Sequence, residues 1–113
     1  MLDRAAILAA DDLPRELVEV PEWGGSVHVR TLTGTERDAF EQSVIVAGEK
    51  NLGNIRARFA VLTICDANGD RIFGERDAVD LGKKSAAALD RVFAVAQTLN
   101  GFSSSDVEDL AGN

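Results

Sequence analysis

The segment from Val18 to Phe40 has the clearest alternation of apolar and polar positions in the chain, VEVPEWGGSVHVRTLTGTERDAF. Valines occupy every second position in two short runs, one on each side of Gly24-Gly25. This pattern predicts a half-buried antiparallel β-hairpin with one valine face and one polar face. With the two glycines as the turn, the expected cross-strand pairs are Val20 with Val29, Val18 with Thr31, Glu22 with Val27, Glu19 with Arg30, Pro21 with His28, and Trp23 with Ser26.

A helix is predicted directly after the hairpin. Thr33 is a good N-cap and Glu36 follows three residues later, which together predict a capping box. Gly48 is the expected end of this helix. The apolar residues at helical spacing between cap and end are Phe40, Val44 and Ala47.

Two further helices are expected, at about 54–64 and about 85–99. The first is apolar on more than half of its circumference, so it should be central to the core. Asn100-Gly101 is the expected C-cap of the second. We expect one hydrophobic core, to which the helices contribute Phe40, Val44, Phe59, Leu62, Leu89, Val92, Phe93 and Ala96.

Shorter elements complete the prediction. A short helix at 2–10 precedes the hairpin, and Asp66 to Asp70 has the composition of a tight turn. A single helical turn is expected at 77–81 and a short acidic helix at 106–110. The predicted class is α+β, mostly helical: an N-terminal β-hairpin followed by a small bundle of about four helices. We expect a single domain over 1–113, divided into an N-terminal helix and linker (1–16), the β-hairpin (17–32) and the helical part (33–113).

Composition and charge exclude several classes of function. Nineteen acidic against twelve basic residues give a net charge of −7, which disfavours nucleic acid and anionic membranes as partners. No segment approaches the roughly 20 apolar residues of a membrane span, and the N-terminus does not resemble a signal peptide. We therefore expect a cytosolic protein.

The sequence offers no catalytic or cofactor-binding grouping, so we expect no enzyme and no cofactor. Cys65 is the single cysteine and follows an apolar run, where a buried, inert thiol is expected. His28 is the single histidine and lies on a predicted strand, and nothing in the sequence brings it close to Cys65.

The stretch from Asp66 to Asp77 partly matches a calcium-binding EF-hand loop. Asp66, Asn68 and Asp70 fall at its first three ligand positions. Arg71, however, replaces the glycine at position 6, and Asp77 replaces the bidentate glutamate at position 12. A hydrogen-bonded turn is therefore expected, and no metal ligands are assigned.

Several motifs resemble, in their order and spacing, those of the tail assembly chaperones of long-tailed, siphovirus-type bacteriophages and prophages. The motifs cover the chain from about residue 18 to its end. They are Val20-Pro21-Glu22-Trp23-Gly24-Gly25; Val29-Arg30-Thr31-Leu32-Thr33-Gly34 with Glu36-Arg37; Asp66 with Gly69 and Phe73; Lys83-Lys84-Ser85; and Leu99-Asn100-Gly101.

The resemblance implies a non-enzymatic protein of the bacterial host cytoplasm that is not part of the mature virion. It would coat the long tape-measure protein, keep it soluble, and help to recruit tail-tube subunits, in many members through a longer form made by ribosomal frameshifting. It also implies self-association into a weak or open oligomer.

Such a chaperone needs apolar surface to cover its client, and the hairpin and first helix are the candidates. Trp23, at the hairpin tip, either folds back onto the valines or faces a partner. Hairpin edges are natural sites for self-association, although Pro21 would block part of one edge. The candidate partner-binding residues are Trp23, Val18, Val20, Val27, Val29, Ile7 and Leu8.

Two alternatives remain open at this point. A structural virion component, such as a connector or tail-completion protein, would share the size and acidity but would be found in purified particles. A degenerate EF-hand-type module would bind calcium in a titration.

Overall fold

The computed structural model describes residues 1–102, and the predicted short helix at 106–110 lies outside them. Within the described residues the architecture is α+β and mostly helical, with the hairpin near the N-terminus and four helices after it, which agrees with the predicted fold class. The helices are α1 Arg4–Ala9, α2 Gly34–Val44, α3 Ile55–Thr63, α4 Ala78–Leu81 and α5 Ala86–Leu99, with 3₁₀ turns at Pro21–Trp23 and Glu75–Asp77. The strands are β1 Arg15–Val20, β2 Gly25–Arg30, β3 Ile45–Val46, β4 Glu49–Lys50 and β5 Ile64–Cys65.

The hairpin forms, but its predicted register is wrong. Val20 pairs with Gly25 rather than with Val29, and Val18 pairs with Val27. The connection is longer than a two-residue turn because Pro21–Trp23 form a 3₁₀ turn that Gly24 completes at φ 73°. The shift is four residues, an even number, so every side chain keeps its predicted face of the sheet.

A third strand joins the hairpin. β5 pairs antiparallel with β2, giving the strand order β1-β2-β5. Ile64 was expected to end a helix, but α3 stops at Thr63 and Ile64 turns to extended backbone. Consequently β2 lies in the centre of the sheet and β1 lies at an edge.

The capping box at the start of α2 is confirmed. The Thr33 hydroxyl accepts from the Glu36 N–H at 3.1 Å, and the Glu36 carboxylate accepts from the Thr33 N–H at 3.0 Å. The predicted end is wrong, because α2 stops at Val44. Ala47, at φ 54°, and Gly48, at φ 80°, form the turn of the small β3–β4 hairpin.

The core consists of two adjoining groups rather than the single set predicted. The first lies between the sheet, α3 and α5, and includes Val20, Val29, Ile64 and Val92. The second surrounds Phe59, whose ring centroid lies 4.9 Å from Phe40, 5.6 Å from Phe93 and 6.1 Å from Phe102. α3 contributes to both groups, so its predicted central position is confirmed, whereas Leu62 and Phe93 are only partly buried.

The end of α5 is attached to the exit of the hairpin. Asn100 is the C-cap, as predicted, and its side-chain oxygen accepts from the Leu32 N–H at 2.7 Å. None of the helices in residues 1–102 is long and apolar enough to cross a lipid bilayer.

Candidate interaction surfaces

Helix α1 is the most exposed apolar element of the described chain. Asp3 caps it, its Oδ1 accepting from the Ala6 N–H at 2.9 Å, and none of its residues is buried. Ile7 is 57% exposed and Leu8 is 69% exposed. The two candidate binding residues of α1 are therefore accessible to a partner.

The valine face of the hairpin is not accessible. Val18, Val20 and Val29 are buried against α3 and α5, and Val27 packs half-buried against the same group. The expectation that these valines form a partner surface is corrected, because this face is the one that the helices cover. It stabilises the fold instead.

Trp23 folds back rather than projecting from the tip. Its side chain is half-buried against the core, and its indole Nε1–H has no hydrogen-bond partner within residues 1–102. It lines a cleft of about 240 Å³ together with Phe73 and Leu81, and charged side chains stand around the same cleft. These are Asp77, Asp80 and Lys84. Trp23 thus presents one side of its ring to a cleft instead of a protruding surface.

A second cleft, of about 260 Å³, lies between α2 and α3. Phe40, Val61 and Leu62 supply apolar walls, and Arg58 lies at its side. The Arg58 guanidinium donates to the carbonyl oxygens of Asn51 at 2.8 Å and Ser43 at 3.0 Å, and partial burial lowers its pKa. Sequence reasoning did not identify Arg58; the available signal was an arginine within a mostly apolar helix.

The most buried charge pair joins the hairpin to α2. Arg30 is 4% exposed, and its two terminal nitrogens each donate to a Glu36 carboxylate oxygen at 2.9 Å. Burial raises the pKa of Glu36, but the hydrogen bonds from Arg30 and Thr33 outweigh this effect, so the pKa lies below its ordinary value. The predicted Glu19–Arg30 pair is therefore wrong, since Arg30 binds Glu36.

His28 and Cys65 are cross-strand neighbours on β2 and β5, although no sequence pattern predicted that they would lie close together. The Cys65 thiol is buried, and burial raises its pKa, which disfavours the reactive thiolate. No hydrogen bond joins the two side chains. The pair has the proximity of a nucleophile and base but lacks the activation that such a pair requires.

The stretch from Asp66 to Asp77 contains the predicted turn. Asp66 Oδ1 accepts from the N–H groups of Asn68 at 2.8 Å and Asp70 at 3.0 Å, and Asp77 accepts from the Gly74 N–H at 2.8 Å. These bonds use carboxylate oxygens that an EF-hand would direct at calcium. In residues 1–102 no group of three or more acidic, histidine or cysteine side chains is arranged to hold a metal ion.

Leu17 is an apolar surface residue that the sequence analysis overlooked. It is 58% exposed on the outer face of β1, where its sheet neighbours are polar. The available signal was a single leucine on the polar side of the alternating pattern.

Comparison with known proteins gives a consistent result. The model of the phage tail assembly chaperone family matches residues 3–113. The structure of the bacteriophage HK97 tail assembly chaperone is similar, with a TM-score of 0.60 and 21% sequence identity over 84% of this chain and 94% of that one. At this identity the structural likeness supports the fold alone. Among curated proteins, no match was found. Because the family model covers nearly the whole sequence, the chain belongs to the phage tail assembly chaperone family.

Proposed function

We propose that this protein binds the tape-measure protein of its phage, keeps it soluble, and helps to recruit tail-tube subunits. The action is one of binding without catalysis, in the cytoplasm of the bacterial host, and the protein is absent from the mature virion. A frameshift-extended form would carry the contact to the tail-tube protein, and copies of the chain would associate with one another.

The observation that supports this proposal best is α1. A helix that buries none of its own residues contributes little to folding, yet it keeps Ile7 and Leu8 in water. Exposed apolar side chains on a short helix suit contact with the apolar stripe of a long amphipathic helix. The net charge of −7 would keep the resulting complex in solution.

The clefts offer secondary contacts. The cleft beside Arg58 has apolar walls, the carboxylate of Glu75 also lines it, and the terminal nitrogens of Arg58 already donate to backbone carbonyls and to the Ser43 hydroxyl. Such a site suits an apolar side chain. The Trp23 cleft is similarly apolar, with carboxylates beside it.

Co-expression with the tape-measure protein tests the proposal. The soluble fraction of the client should rise with the wild-type chain and fall back with the double variant Ile7→Asp, Leu8→Asp. Val46→Asp is the matched control, since Val46 is also an exposed apolar residue but lies on β3.

Equal client solubility with and without the wild-type chain would reject the chaperone function. Purified virions provide the second test. Detection of this chain there in stoichiometric amounts would identify a structural component, such as a connector or tail-completion protein, instead.

A further inference from the structure

Strand β1 presents an uncovered edge of the sheet. Within residues 1–102, the strand order β1-β2-β5 leaves one side of β1 without a neighbouring strand, and α1, which precedes it, has no buried residue. Prolines flank the strand at Pro14 and Pro21, but none lies within it. Pairing with β2 is continuous from Arg15 to Val20, so no bulge interrupts the edge.

The backbone groups on this edge can be assigned. The Thr31 N–H donates to the Pro14 carbonyl at 3.1 Å, which extends the β1–β2 ladder by one hydrogen-bonded pair. Hydrogen-bonded pairs alternate in an antiparallel ladder, so the even-numbered residues of β1 bond to β2. The N–H and C=O groups of Arg15, Leu17 and Glu19 therefore point away from β2. Within residues 1–102, none of these outward groups has a backbone partner outside the ladder.

We propose that β1 pairs antiparallel with β1 of a second copy, about a two-fold axis through Leu17, which joins two three-stranded sheets into one. This proposal rests on the self-association included in the proposed function and names its surface and symmetry. The contact is isologous: each copy contributes the same strand.

The register follows from the outward-facing groups. With Leu17 opposite the partner's Leu17, Arg15 lies opposite the partner's Glu19, and Glu19 lies opposite the partner's Arg15. All three outward-facing positions are then hydrogen-bonded pairs. A shift of the partner strand by two residues would leave one outward-facing position of β1 unpaired and place Leu17 opposite a charged residue of the partner, either the partner's Arg15 or the partner's Glu19.

Charge complementarity supports the same register. Arg15 and Glu19 are both exposed, and neither has an ion-pair partner within residues 1–102. The Arg15 guanidinium lies beside Gly69 without forming an ion pair there. In the paired strands, two Arg–Glu contacts flank the central leucines on the same sheet face, and opposite charges directly across strands are favourable.

Sedimentation velocity of the full chain over a range of concentrations tests the proposal. The wild type should show a monomer–dimer equilibrium. Arg15→Glu and Glu19→Arg each place like charges opposite one another twice, so each should raise the dimer dissociation constant about ten-fold or more. The double variant Arg15→Glu, Glu19→Arg restores opposite charges and should dimerise like the wild type.

Mixing the two single variants gives an independent result. One carries two acidic residues at these positions and the other two basic residues, so the mixture should form a heterodimer at concentrations at which each variant alone is mostly monomeric. Arg76→Glu and Glu49→Arg are matched controls at exposed positions away from β1, and both should dimerise normally.

A wild type that remains monomeric, single variants that dimerise like the wild type, or a double variant that does not recover would each overturn the proposal. A single variant could fail to dimerise because it does not fold, and its circular dichroism signal would then be lost. Formation of the heterodimer in the mixture, which contains the same substitutions, would show that both variants are folded. Client co-expression is scored separately: a dimer-deficient variant that still solubilises the tape-measure protein leaves the chaperone function standing.

Discussion

Arg30 and Glu36 form a two-pronged ion pair that connects the last residue of β2 to the first turn of α2, with both nitrogen–oxygen distances at 2.9 Å. Glu36 also accepts from the Thr33 N–H, and Arg71 approaches the same carboxylate at 3.5 Å. One carboxylate therefore caps a helix and neutralises a buried guanidinium.

Glu36→Ala should destabilise the fold by about 3–5 kcal/mol, because it leaves Arg30 buried without a counter-charge and also removes half of the capping box. Chemical denaturation measures this change. Glu41→Ala is the control: Glu41 pairs with Arg37 on the exposed side of α2, and its loss should cost less than about 1 kcal/mol. Equal losses of stability in the two variants would show that the buried Arg30–Glu36 pair contributes no more than an exposed ion pair.

The same pair predicts a pH dependence. The folded-state pKa of Glu36 lies below the ordinary value of 4.5, so its contribution to stability is fully present above pH 4.5 and is lost as pH falls through the folded-state pKa. The stability difference between wild type and Glu36→Gln should therefore shrink on acidification below pH 4.5. A difference that stays constant down to about pH 2 would contradict a lowered pKa.

Phe59→Ala should cost about 3–5 kcal/mol, since Phe59 is 1% exposed and contacts three other aromatic rings. Phe93→Ala should cost less, because that ring is only partly buried. Ile72→Ala, at an exposed position, serves as the control in thermal melts. A melt of Phe59→Ala within a few degrees of the wild type would show that the second core group is wrongly described.

Trp23→Ala should retain the helical circular dichroism signal while lowering stability by about 1–3 kcal/mol, because the indole packs at the margin of the core. Phe73→Ala should behave similarly, because Phe73 lines the same cleft and is also partly buried against the core. Complete loss of the helical signal in Trp23→Ala alone would place the indole among the central residues of the fold.

Calcium titration by calorimetry should give no dissociation constant tighter than roughly 10⁻⁵ M, the weak end of sensor sites. The physical reason is that Asp66 and Asp77 already accept backbone N–H groups, and Arg71 stands where the loop requires glycine. Tighter binding that is lost in Asp66→Ala would revive the calcium-module alternative.

The elements that sequence predicted well are those defined by local caps. Thr33 and Glu36 fix the start of α2, and Ser85, whose hydroxyl accepts from the Ala88 N–H, fixes the start of α5. A cap depends on residues three or four apart, so its chemistry is visible in a short window of sequence.

The features that sequence missed depend on distant partners or on turn geometry. The prediction of the hairpin register was wrong because Pro21 begins a 3₁₀ turn, which lengthens the connection beyond Gly24-Gly25. Strand β5 could not be predicted, since two residues at the end of an apolar helix carry no strand pattern of their own. The predicted pairing of Arg30 with Glu19 was wrong for the same reason, since it depended on that register.

The candidate binding surface was predicted only in part. Alternation correctly placed Val18, Val20, Val27 and Val29 on one face, but it gave no indication that α3 and α5 cover it.

The apolar residues of α1, in contrast to these valines, are exposed. Ile7 and Leu8 are more than half exposed and belong to neither core group, so substitutions there should alter the fold less than substitutions of the buried valines. Under the proposed function, selection for fit to a particular client acts on α1 independently of selection for a stable fold, so related phages would change clients by altering about two turns of helix.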